Sequence, residues 1–61
     1  MAQITTKELS AISDLLSAEQ NLIAKYQCYA QEATDNTLKT KYEQIAKRHQ
    51  RHFDELYSNL K

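Results

Sequence analysis

Neither glycine nor proline occurs in the 61 residues. Ordinary proteins carry about 7% of the first and about 5% of the second, and these two residues do most to interrupt regular backbone. Their absence argues for long uninterrupted helix with little loop. The apolar spacing agrees. Leu9, Ile12, Leu16, Glu19, Ile23, Tyr26, Ala30 and Ala33 follow one another in alternating steps of three and four. That is the seam of a helix with one continuous buried stripe, interrupted by a single charge. Thr5-Thr6-Lys7-Glu8 ahead of it has the form of a capping box, with Thr5 as N-cap and Glu8 reaching back.

Thr34-Asp35-Asn36-Thr37 is the one turn signal in the chain. Asp and Asn accept turn conformations and cap a following helix through their side-chain oxygens. A second stripe then runs through Leu38, Tyr42, Ile45, His49, His52, Leu56 and Asn59. The spacing predicts a single all-α domain over residues 1–61, with helix one at about 6–33, a turn at 34–36 and helix two at about 37–60. A turn this short forces the helices into an antiparallel hairpin.

Flanking rows widen both stripes: Leu15, Leu22 and Tyr29 on helix one, and Ala46, Phe53 and Leu60 on helix two. Two helices leave such rows wet. A chain of this size buries about 60% of its unfolded surface, and its core rarely supplies more than about 3–5 kcal/mol without a disulfide, a metal or a partner. One cysteine makes no internal disulfide. A homodimer forming a four-helix bundle is the expected remedy, closed two-fold symmetry being the commonest kind.

Three polar residues occupy seam positions: Glu19, His49 and His52. Antiparallel pairing about the turn sets Glu19 opposite His52, with His49 one layer nearer the turn. A buried ionised carboxylate without a partner costs several kcal/mol. Either an imidazole N–H satisfies Glu19 and the three form a polar layer that fixes register, or a divalent metal lies between the helices. Two imidazoles and a carboxylate suit Zn²⁺ or non-haem Fe²⁺. A shared ion balances charge more easily than a two-metal centre. Glu19, His49 and His52 are therefore the candidate metal ligands.

The stretches Leu9-Ser10-Ala11-Ile12, Leu16-Ser17-Ala18-Glu19-Gln20, Lys25-Tyr26, Thr34-Asp35, Leu38-Lys39, Ile45-Ala46 and His49-Gln50-Arg51-His52 together resemble the small spore coat F-like proteins of Gram-positive spore formers. The resemblance covers nearly the whole chain. It implies a fold similar to half of a ferritin-like four-helix bundle, a structural role in sporulation, other coat or assembly proteins as partners, and a place in the cytoplasm or with the spore. Ferritin-like metal sites pair a Glu with a Glu-x-x-His on the next helix. Here Ala46 stands three residues before His49, so the bridging carboxylate is missing and di-iron oxidase or iron-storage activity does not carry over.

The remaining residues point to no catalysis. There is no nucleophile with a base and an orienting group, and no glycine-rich phosphate loop. No catalytic or organic-cofactor residue is assigned. Tyr26, beside the polar layer, reads as packing with a satisfied hydroxyl. Cys28 falls on the outer face without a basic partner and reads as inert. Lys39, Lys41, Lys47, Arg48 and Arg51 give helix two a basic bias, but formal net charge is zero, which favours a solvated face over a nucleic-acid or membrane surface. No apolar run reaches the roughly 18 residues of a membrane span. No basic-then-apolar leader opens the chain, and a free thiol fits a reducing, intracellular compartment.

Overall fold

The computed structural model describes residues 4–60 and is all helical, with two helices packed against each other. Helix α1 spans Thr6–Glu32 and helix α2 spans Asn36–Ser58. The ends are set by side-chain chemistry. Thr5 stands in extended conformation as the N-cap of α1. Its hydroxyl accepts from the Glu8 N–H, and the Glu8 carboxylate accepts from the Thr5 N–H, both at 3.1 Å. The two hydrogen bonds satisfy donors that a helix start leaves open. They also hold the Glu8 carboxyl below its ordinary range, chiefly through the Thr5 backbone N–H and then its side chain.

The chain reverses in three residues. Ala33 leaves the helix in extended conformation, its N–H still donating to the Tyr29 carbonyl at 2.9 Å. Asp35 caps α2: its Oδ1 accepts from the Leu38 N–H at 3.0 Å, and its carbonyl accepts from Lys39 at 2.9 Å. No residue between 4 and 60 needs positive φ, which is why the reversal works without glycine. The result is a rod with Cα extents of 47 × 16 × 10 Å.

Only Ala30 and Ala46 are buried among the described residues. Ile12, Leu16, Glu19, Ile23, Tyr26 and Ala33 of the α1 stripe are half-covered, as the spacing predicts, whereas Leu9 at its start is exposed. On α2 the seam is turned by one row from the predicted one. It runs through Tyr42, Ile45, Ala46, His49, Phe53, Leu56 and Leu60, which are covered, so Tyr42, Ile45, His49 and Leu56 stand as predicted, whereas Leu38, His52 and Asn59 are exposed. Placing Ala46 inward lets the helices approach closely where it shares a groove with Ala30. Turning Phe53 inward hides a large apolar ring and returns the polar His52 ring to the rim.

The two broad sides of the hairpin differ as a consequence. One side carries a groove lined by Ile23, Ala30 and Ala46 together with the polar residues Gln27, Gln31, Lys39, Glu43, Lys47 and Gln50. Leu15, Leu22 and Tyr29 recur every seven residues on the other flank of α1, and the Tyr29 ring meets Tyr42 of α2 at 5.5 Å between centroids. On the same side of α2 stand Leu38, Ile45 and His52, also seven apart. Leu15 and Leu38 are about half open to water, at 51% and 47%. The hairpin therefore has a polar face and an uncovered apolar face.

Two outcomes follow from the caps. Replacing Asp35 with alanine removes the cap at the start of α2 and should lower unfolding free energy by about 1 kcal/mol, read by chemical denaturation at neutral pH. Because the folded Glu8 carboxyl is held low, its stabilisation is present above the ordinary carboxylate range and is lost as pH falls through the lowered value. Amide exchange in the first turn of α1 should accelerate selectively on acidification, and Glu8→Gln should remove that pH dependence.

Candidate functional site

Glu19 stands at the midpoint of α1 on the seam, where heptad spacing would place an apolar residue. Its side chain is 14% exposed. The solution comes from α2. Nδ1 of His49 lies 3.1 Å from Oε2 and 3.2 Å from Oε1 of Glu19. A carboxylate can only accept, so Nδ1 carries the hydrogen and donates to both oxygens. Nδ1 of His52 lies 3.5 Å from the same Oε2, beyond the usual range of an N–H···O hydrogen bond.

The two histidines are not equivalent. They sit i,i+3 on α2 and meet edge to face, centroids 5.7 Å apart at 84°. His49 is 20% exposed and His52 50%. The expected pairing of Glu19 directly with His52 is thus corrected: His49 is the close partner and His52 the rim member, because the α2 seam is turned by a row. All three residues do converge. One donor atom from each lies within 4.8 Å of the other two.

Aromatic packing holds His49 from the turn side. The Tyr26 ring stacks on it at 6.2 Å and 13°. Tyr26 in turn contacts Tyr29 edge-on at 5.6 Å and Tyr42 at 6.1 Å. This run of rings was visible in the sequence only as separate core fillers, since three of its contacts join different helices. It restricts the imidazole plane of His49 so that Nδ1 faces Glu19.

Cys28 is exposed, on the outer face as expected. Its thiol donates to Oε1 of Glu32 at 3.5 Å, and that carboxylate pushes the thiol pKa up by hydrogen bonding and by charge. A thiol held protonated is a poor nucleophile. No helix of the described residues is long and apolar enough to cross a membrane.

No protein-family model, curated protein or solved structure matches the chain.

The geometry predicts unequal costs for the two imidazoles. His49→Leu leaves a half-buried carboxylate with only a distant partner and should lower stability by about 1–3 kcal/mol. His52→Leu, at the rim, should change it by less than about 0.5 kcal/mol. Denaturant unfolding of both variants checks the order, and the reverse order would contradict the observed pairing.

Proposed function

We propose that the chain is a small structural protein that works as a homodimer, two hairpins packing their apolar faces into a four-helix bundle, within a larger assembly. The observation that carries this reading is the apolar side on which Leu15, Tyr29 and Leu38 are exposed and Leu22 and Ile45 half-covered. Burying a leucine or isoleucine is worth about 1.5–3 kcal/mol, a large sum against a core of two alanines. The occupant that fits is a second copy. The broad side measures 47 × 16 Å between Cα positions, giving on the order of 750 Å² per chain, near the ~800 Å² per partner of a standard specific interface.

Charge supports self-association as well. Both signs occur next to these rows by helical spacing: Lys25, Lys41 and Arg48 on one hand, Glu32 and Glu55 on the other. A two-fold operation can set unlike charges against each other without a partner of opposite net charge. The likeness to small spore coat F-like proteins supports placing the assembly in a spore coat, and the raised thiol of Cys28 favours packing over thiol chemistry as the means of association.

Mass in solution tests the dimer. Light scattering at micromolar concentration should give about 14 kDa, twice the 7.1 kDa of the chain. Leu22→Glu with Ile45→Glu should reduce it to the single-chain mass, while Gln27→Glu with Gln50→Glu on the polar side should leave it unchanged. A folded wild-type chain of single mass at tens of micromolar would overturn the reading.

A further inference from the structure

The Glu19, His49 and His52 cluster contains a distance that hydrogen bonding does not explain. Oε2 of Glu19 sits 3.1 Å from Nδ1 of His49 and 3.5 Å from Nδ1 of His52. The second is too long for a good N–H···O bond. That longer separation matches another geometry. Tetrahedral Zn²⁺ holds nitrogen at about 2.0–2.1 Å and carboxylate oxygen at about 2.0–2.2 Å, which sets neighbouring donors about 3.3–3.5 Å apart. One edge of such a tetrahedron, Glu19 to His52, already has its proper length, the Glu19–His49 edge is shorter at hydrogen-bond length, and one donor atom from each of the three residues lies within 4.8 Å of the others.

We propose that Glu19, His49 and His52 form a mononuclear site for a borderline divalent cation of the zinc class, with one coordination position left open. Two imidazoles and one carboxylate select Zn²⁺ or Co²⁺ over Mg²⁺ and Ca²⁺, which require shells of oxygen. The site is prepared before the ion arrives. Glu19 and His49 are held together in the seam, and Tyr26 fixes the His49 ring plane. Support of this kind around a ligand is what tunes metal affinity. His52, half exposed, is the residue through which the ion enters and leaves.

Binding is an exchange. The hydrated ion loses water molecules as the three donors replace them. A neutral imidazole that carries hydrogen on Nδ1 coordinates through that nitrogen once the hydrogen has moved to Nε2, so the ring stays neutral and no proton is lost from it. One carboxylate against a dication leaves a single positive charge. Hydroxide or another small anion at the open position can compensate it.

The test is titration of the metal-stripped full chain with ZnCl₂ by calorimetry and with CoCl₂ by visible absorption. The chain has only two histidines, so ring nitrogen resonances report both ligands without ambiguity. Saturable binding at micromolar ZnCl₂ is expected, with both histidine signals shifting, a tetrahedral Co²⁺ spectrum, and no response to MgCl₂. His52→Ala should weaken binding by at least about tenfold while helix content stays unchanged, since His52 lies at the rim. Glu19→Gln should weaken it likewise, and Cys28→Ser should not. Absence of saturable binding, undiminished binding in His52→Ala, or loss of binding in Cys28→Ser would each overturn the site. These readouts are taken per chain, so a monomeric mass would sink the dimer and leave the site standing, and the converse holds.

Discussion

Two helices laid side by side shelter a strip, not a volume, and this geometric limit governs the molecule. Each helix offers one stripe to the other. Everything flanking that stripe remains half wet, as Leu15, Tyr29 and Leu38 do. The residues that achieve full burial are the smallest apolar ones, Ala30 and Ala46, because close approach of the backbones is the one way a pair of helices can exclude water completely. Larger side chains hold the helices apart and admit solvent along their edges. A hairpin built this way gains its specificity from a few contacts rather than from a packed interior.

Among those contacts the carboxylate of Glu19 has the sharpest requirements. An apolar residue slides along a seam at small cost. A half-buried carboxylate does not, because displacing it by one turn parts it from its donor and leaves it desolvated. The bond from His49 therefore fixes the axial register of α2 against α1 in a way that Ile23, Ile45 or Leu56 cannot. The Asp35 cap and three-residue reversal fix the same register from the turn, and the agreement between the two ends is what makes the pairing single-valued.

How far the sequence foretold this differs between elements. Alternating threes and fours, with Thr5 and Glu8 at the start of one helix and Asp35 or Asn36 at the start of the other, were enough for both helices and for the first cap, because these depend on local spacing and on side chains within a few residues. The structure decides the second cap for Asp35. Convergence of Glu19, His49 and His52 was also readable, since the antiparallel pairing follows from the turn. The rotation of α2 was not. Two seven-residue rows flank Tyr42, His49 and Leu56: Leu38, Ile45, His52 and Asn59 on one side, Ala46, Phe53 and Leu60 on the other. Both satisfy helical spacing. Which row turns inward depends on what it meets across the seam, where Ala46 suits the neighbourhood of Ala30 and Phe53 outweighs His52. That information is tertiary and no single-helix pattern holds it. The same rotation decides that His49 rather than His52 pairs closely with Glu19.

The rotation has a consequence for how the two proposed properties relate. Had His52 pointed into the seam, the cluster would be closed and its role purely one of register. At the rim, His52 joins the seam to the apolar face, so the same side chain belongs to the polar cluster and to the surface that a second copy would cover. Glu19 lies at the midpoint of α1, and a two-fold axis through the middle of the hairpin would bring both copies of the cluster to one level. Covering the face removes water from around His52. That raises the cost of any uncompensated charge there and changes the affinity for an ion. By linkage the ion must then change the affinity of the chains for one another by the same factor. The proposed metal and the proposed partner would thus be two ways of completing one unfinished edge, and a hairpin too small to enclose a core would be stabilised at the position where both acted.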